Sequence, residues 1–320
     1  MKKSSTVSKT DFRIAVIVPC YNEEQSIAKV VMDFKKALPE ALVYVFDNNS
    51  TDRTSEVARA SGARVIHVPL KGKGNVVRRM FADVEADVYL MTDGDGTYDA
   101  RFAPQLVDKL LRDKLDMVVG CRVDEGEAEN YRRGHRFGNR MLTGAARRIF
   151  GGQFTDMLSG YRAFSKRYVK SFPALSAGFE IETELTIHSL ELRMPYGEIM
   201  TSYGARPKGS ESKLSTYRDG LRILKMIIRM YRVERPLAFF SLAGLLLAIA
   251  SVLLALPLLF EYLATGLVPR LPTAVLSMGL MLSGQLAIFC GLILDTVTRG
   301  RHELRRMKYL SIPCLTINED

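Results

Sequence analysis

Tryptophan is absent from this chain of 320 residues, and cysteine and histidine occur four times each. The missing tryptophan excludes any motif that turns on an indole. Cys20, Cys121, Cys290 and Cys314 lack CxxC spacing, which speaks against a thiol metal site and fits a reduced, cytosol-facing chain. The histidines lack ligand spacing and no role is expected of them. Charge is scarce in one region: between 236 and 298 only Glu261, Arg270 and Asp295 are charged. Positive charge is in excess, at +10 net, which points to anionic partners. Repeats and low-complexity tracts are also lacking, and no nucleic-acid partner is expected. The basic segment 1–11 has no small-residue cleavage site and is expected to be a short disordered tail, not a signal peptide.

What is present begins with alternation. "RIAVIVPCYN", "ALVYVFDNNS", "ARVIHVPL" and "ADVYLMTDGDG" read as strands, with helical spacing in "EEQSIAKVVMDFKKAL", "TDRTSEVARASG" and "KGKGNVVRRMFADV" between them. "LDMVVGCR" reads as a further strand and "FEIETELTIHSLELR" as a helix. Strands alternating with helices imply a mostly parallel α/β sheet with its ligands at the strands' carboxyl ends. Three runs break there into polar clusters: Tyr21-Asn22-Glu23, Asp47-Asn48-Asn49 and Asp93-Gly94-Asp95.

The apolar stretches at about 237–260 and 272–294 are each long enough to cross a bilayer. Arg229, Arg232 and Arg235 precede the first, and Arg299, Arg301, Arg305, Arg306 and Lys308 follow the second. The positive-inside rule then gives a hairpin over 236–298 with both termini cytoplasmic and a tail over 299–320. Just before it, at 215–235, Arg218, Arg222, Lys225, Arg229 and Arg232 make one basic helical stripe, as expected of an amphipathic helix lying in the headgroup plane.

Asp93 and Asp95, with Gly94 between them, suit a hard divalent cation completed by phosphate oxygens, as at a nucleotide-sugar site. The same spacing also occurs in solvated turns. Asp99 lies close enough to share the site or to be structural.

The strings "VPCYNEE", "DNNSTDRT", "KGKG", "DGDGTYD", "GCR", "DMLSGYRAF" and "GSESKL" stand in this order. The chain thereby resembles family 2 glycosyltransferases of the GT-A fold, most closely the dolichol-phosphate mannose synthases and bacterial polyprenyl-phosphate glycosyltransferases. The resemblance implies a GT-A domain over 12–214, in which Pro19, Tyr21 and Glu23 cradle the nucleoside and Asp47, with Asn48, reads the base. It implies Asp93 on the sugar side of the donor and Asp95 on Mg²⁺ or Mn²⁺, with Asp93 beside it. At Thr97, where the synthases often carry Gln, the third metal ligand is left open. The resemblance also implies that Arg122, one of the Arg132–Arg136 group, and Lys213 meet a lipid phosphate. The basic residues Arg162 and Arg206 and the loop residue Ser212 are further candidates for that contact. Asp156 matches a position proposed as base in relatives, although orienting Arg162 or an acceptor-loop contact is the alternative.

The expected activity is inverting transfer of one sugar from a UDP- or GDP-linked donor to polyprenyl phosphate at the cytoplasmic face. The expected partners are donor, lipid acceptor and membrane lipid, and the sequence is compatible with a homo-oligomer. A processive polysaccharide synthase of the same fold would carry Q-x-x-R-W, which a chain without tryptophan cannot. A noncatalytic membrane scaffold is the alternative from another class.

Overall fold

The computed structural model describes residues 12–123, 144, 147, 151, 154–178, 180–204, 225 and 228–315. The chain forms two compact units, Met1–Leu221 with Arg305–Asp320, and Arg222–Leu304.

In the first unit the five apolar runs become β1 (Ile14–Cys20), β2 (Leu42–Asp47), β3 (Arg64–His67), β4 (Val88–Met91) and β5 (Met117–Val123). Two strands not anticipated in the sequence join them, β6 (Arg162–Ser165) and β7 (Tyr196–Ser202). The helices are α1 (Ile27–Ala37), α2 (Thr54–Ala60), α3 (Lys73–Asp83), α4 (Ala103–Arg112), α5 (Lys166–Ser171) and α6 (Ile181–Glu191). One seven-stranded sheet runs β3-β2-β1-β4-β6-β5-β7. Its central strands are almost wholly buried; Val16, Ile17, Val18 and every residue of β4 are inaccessible, as expected of strands covered on both faces. On α1, Ile27, Val30, Val31 and Phe34 are the buried stripe that the helical spacing predicts.

Strand direction decides what reaches the site. β1, β2, β3 and β4 are parallel neighbours, so their carboxyl ends share one edge. β6 runs antiparallel to both β4 and β5, which sets Arg162, its first residue, opposite Met91, the last of β4. The loop that enters β6 therefore arrives at the same edge. β5 and β7 pair in parallel over Met117–Val123 and Tyr196–Ser202, bringing Arg122 there as well.

The chain's last described segment also packs within this unit. Buried Asp116 accepts hydrogen bonds from the Ser165 hydroxyl (2.6 Å), Arg167 Nη2 (2.8 Å) and the Tyr309 hydroxyl (2.7 Å). Arg305 Nη1 donates to Glu191 Oε2 at 2.6 Å. Leu315 packs against the core cluster.

The second unit is built on α7 (Pro236–Thr265) and the helix that starts at Leu271, α8 (Leu271–Leu310). Both run past the expected ends at 260 and 294, and the expected tail begins as a continuation of α8. Both are long and apolar enough to cross a membrane; a helix of 30 residues rises about 45 Å against a hydrocarbon core of about 30 Å. Leu245, Leu253, Leu263, Leu286 and Ile293 face outward, while small residues meet between the helices. A Cβ at Gly244 would lie 2.6 Å from the Gly284 carbonyl oxygen, and one at Gly284 would lie 2.8 Å from that of Gly244. Ser251 Oγ donates to the Ser277 carbonyl at 2.7 Å, and Ser277 Oγ to that of Ser251 at 3.1 Å. Such close backbone approach is how apolar helices associate where water supplies no driving force. The basic helix expected at 215–235 lies largely outside the described residues; Lys225, Arg229 and Arg232 are helical and exposed.

Candidate active site

At the end of β1 the chain turns at Asn22, whose φ is +55°. Its backbone N–H donates to Ser50 Oγ (2.9 Å), and its side-chain oxygen accepts from Thr51 N–H (2.8 Å). Glu23 N–H donates to Thr54 Oγ1 at 2.8 Å. The loops after β1 and β2 are thus laced together, with Pro19 partly buried and Tyr21 38% exposed beside them. Asp47 closes the second loop, accepting from Ser50 N–H (3.0 Å) and the Ser55 hydroxyl (2.9 Å).

Asn48 is largely buried, and its amide is engaged with backbone at both ends. Its nitrogen donates to the Val68 and Leu70 carbonyls (3.1 and 2.7 Å), and its oxygen accepts from Gly72 N–H (2.7 Å). It shapes the loop from β3 to α3, a different use from the base contact expected for it.

The turn after β4 holds the paired acids. Asp95 is 5% exposed, and its Oδ1 accepts from the Thr97 hydroxyl (2.6 Å) and N–H (3.1 Å). Thr97 therefore braces Asp95. Ser26 Oγ, just ahead of α1, donates to the Gly94 carbonyl at 2.7 Å. A Cβ at Gly94 would fall 2.4 Å from Cys20 Sγ, so any larger residue would push the buried Cys20 side chain aside. Asp93 Oδ1 accepts from Lys73 Nζ at 2.6 Å, and the same Nζ lies 2.7 Å from Glu182 Oε1. Burial alone would depress the Lys73 ammonium, but the two carboxylates outweigh it and hold the lysine above its ordinary value. Asp99 caps the short 3₁₀ turn Ala100–Phe102, accepting from Arg101 N–H at 2.9 Å. Its hydrogen bond with the Arg101 side chain keeps its carboxyl below the usual range, so its observed part is structural.

The string "DMLSGYRAF" is distributed around this edge. Asp156 forms a two-point ion pair with Arg122, Nε to Oδ2 at 2.7 Å and Nη2 to Oδ1 at 2.8 Å. The Arg122 guanidinium also lies 5.6 Å from the centre of the Tyr203 ring. Gly160 is the floor under Asp93, where a Cβ would come within 2.7 Å of Oδ2, and its N–H donates to the Tyr98 hydroxyl at 2.8 Å.

Arg162 requires a correction. Expected to meet a lipid phosphate, it is wholly inaccessible. Its guanidinium donates to the carbonyls of Ser159 (2.8 Å), Met157 (2.6 Å) and Glu182 (3.2 Å) and to Thr186 Oγ1 (2.9 Å). It is an internal brace, and no acceptor can reach it. Arg132, Arg136, Arg206, Ser212 and Lys213 lie outside the described residues. Lys73 and Glu182 were not anticipated as a pair; the available signal was a lysine between glycines after a strand.

Asp93 and Asp95 stand two apart on a turn with glycine at 94 and 96, and a carboxylate there is a hard oxygen ligand of the kind Mg²⁺ or Mn²⁺ takes. Lys73 already engages one oxygen of Asp93, which favours Asp95 over the expected Asp93 as the ligand. Among the described residues no third acid, cysteine or histidine closes a cage with them, so the fit is to an ion completed by other oxygens.

The sequence profile of glycosyl transferase family 2 matches residues 15–172. Glycosyltransferase AglJ of Haloferax volcanii is 33% identical over 93% of this chain and 98% of its own length. The chain belongs to glycosyltransferase family 2. A dolichyl-phosphate hexose transferase of the same archaeon is 31% identical over 69% of this chain and 95% of its own. Among solved structures, glucosyl-3-phosphoglycerate synthase from Mycobacterium tuberculosis, in complex with Mn²⁺, UDP and glucosyl-3-phosphoglycerate, matches with a TM-score of 0.56 and 26% identity. That match covers 70% of this chain and 80% of the synthase. This family 2 glycosyltransferase therefore has the GT-A fold, and its acid turn after β4 and its Arg122–Asp156 pair belong to that fold's carboxyl edge.

Replacing Arg162 by Met should orphan the Met157, Ser159 and Glu182 carbonyls and cost about 3 kcal/mol of stability. Thermal unfolding followed by circular dichroism checks this. A variant as stable as the parent that loses only acceptor affinity would restore the phosphate-contact role.

Proposed function

We propose that this protein is a membrane-anchored inverting glycosyltransferase that moves one sugar from a nucleotide diphosphate sugar to a polyprenyl phosphate. The observation that carries this reading is one sheet edge bearing both an acid turn, Asp93 to Asp95, and a cation held in place, Arg122 on Asp156. A chain with two bilayer-length helices has reason to choose a lipid acceptor. The catalytic unit takes in Met1–Leu221, ahead of the first helix, and Arg305–Asp320, from the last turns of the second onward. An even number of crossings follows if the helices span, which supports the hairpin with both ends on the catalytic, cytoplasmic side.

In this reading Pro19, Tyr21, Glu23 and Asp47 border the nucleoside, Asp93 meets the sugar end of the donor, and Asp95 holds Mg²⁺ or Mn²⁺. The ion would neutralise charge on the departing diphosphate. An oxygen of the lipid phosphate attacks the anomeric carbon opposite the diphosphate. The carbon–oxygen bond to the diphosphate breaks with its electron pair, and the configuration inverts. Arg122 aims the phosphate, with Arg132, Arg136, Arg206, Ser212 and Lys213 as further contacts suggested by resemblance.

A general base is not required, because a phosphate monoester with a second pKa near ~6 is mostly dianionic at neutral pH. Asp156 therefore positions Arg122. Replacing it by Asn should lower turnover about 10–100-fold through misplacement, yet leave the acidic limb of the pH–rate profile, which belongs to the acceptor. Loss of that limb would instead make Asp156 the base.

The direct test incubates detergent-solubilised protein with polyprenyl phosphate, Mn²⁺ and labelled UDP-glucose, UDP-N-acetylglucosamine or GDP-mannose. Labelled lipid should form with one donor and vanish in Asp95→Ala. No turnover or hydrolysis with any donor would favour a noncatalytic scaffold.

A further inference from the structure

We propose that Lys73, held by Glu182, is a positioning residue that fixes Asp93 to receive the sugar end of the donor. This rests on the glycosyltransferase reading above and adds a residue pair to it.

Lys73 opens α3, and that end of the helix is pinned on two sides. Gly72 N–H donates to Asn48 Oδ1 at 2.7 Å, and Gly74 N–H to the Ala177 carbonyl at 3.1 Å. The contact with 176–177 is so close that a Cβ at Gly72 would lie 2.2 Å from the Ala177 oxygen, and one at Gly74 would lie 2.0 Å from that of Ser176. The opposing segment is itself anchored. Arg78 donates twice to the Ala174 carbonyl (3.0 and 2.7 Å), and the Glu184 carboxylate accepts from Leu175 and Ser176 N–H, both at 2.8 Å. Backbone on both sides thus fixes where the Lys73 side chain starts, and Glu182, the second residue of α6, fixes where it ends.

Exposure falls from Asp93 (26%) through Lys73 (12%) to Glu182 (7%). The outermost member is the one able to meet a ligand, and the inner two set its geometry. Lys73 takes one oxygen of Asp93 while the Gly160 backbone limits where the other can lie. A carboxylate gripped in this way cannot swing toward a neighbouring cation without breaking a charge-assisted hydrogen bond. Asp93 is thereby kept for hydroxyl groups of the sugar, and the ion is assigned to Asp95. Without Lys73, Asp93 and Glu182 would repel each other across a partly buried gap.

The test titrates full-length protein in detergent, with Mn²⁺ present, with UDP-glucose against UDP and with GDP-mannose against GDP. Calorimetry reads affinity, and donor KM is measured alongside kcat. In Lys73→Met the nucleotide sugar should bind about tenfold more weakly, the loss expected for one hydrogen bond to a charged group. The free nucleoside diphosphate should change less than about twofold. Glu182→Gln should shift the same ratio in the same direction by less, and the double variant should be no worse than Lys73→Met. If Lys73→Met does not fold, Lys73→Arg and Glu182→Gln carry the comparison, and an unchanged sugar-to-diphosphate ratio in both overturns the proposal. Equal weakening of sugar-bearing and free diphosphate would overturn it too, making Lys73 a phosphate ligand. Wild-type protein that binds neither pair would remove the glycosyltransferase reading and this inference together; wild-type binding with unaltered variants would remove only the inference.

Discussion

Arg162 opens a strand that runs against its neighbours, and its enclosed guanidinium gathers the carbonyls of Met157, Ser159 and Glu182. Two of these lie in the loop entering β6 and the third on α6. A buried charge is tolerated only when its hydrogen-bonding capacity is met, so this one side chain dictates the shape of the loop around it. Asp156 and Gly160 lie in the same short loop. Their positions, against Arg122 and under Asp93, follow from the same constraint, as does the placement of Glu182 beside Lys73.

The edge built in this way separates charge by function. Asp47 ends β2, where the nucleoside would lie, acids follow β4, where a donor's cation would be held, and Arg122, next to last in β5, has Asp156 as its counter-charge. Each reactive-looking group is braced by a second one: Asp95 by Thr97, Asp93 by Lys73, Arg122 by Asp156. Bracing of this kind keeps charged groups in place before a substrate arrives, which is the condition under which electrostatic stabilisation acts without reorganisation.

Much of this was legible in the sequence, because β1, β2 and β4 are apolar runs ended by polar clusters and the two long helices are nearly free of charge over their bilayer-length stretches. β6 and β7 were not. "RAFS" is short and begins with arginine, and "YGEIMTS" has no clean alternation. Their pairing is decided by distant neighbours. Arg162 was misread for a related reason: in a basic stretch one arginine looks like the next, and only the carbonyl cage distinguishes it. Asn48 shows the converse, a polar residue at a strand end whose amide serves the backbone. Lys73 sat in plain view, but its meaning depends on Glu182, more than a hundred residues away.

On the proposed function, one edge of this sheet holds a nucleotide sugar through its diphosphate and an ion on Asp95. The most direct measurement is a structure of the full chain with Mn²⁺ and a nucleoside diphosphate, with the ion located by anomalous scattering. A single peak within coordination distance of Asp95, shared with diphosphate oxygens, is expected, with Asp93 still on Lys73. A nucleotide bound away from the β4 turn, or an ion held without Asp95, would contradict it.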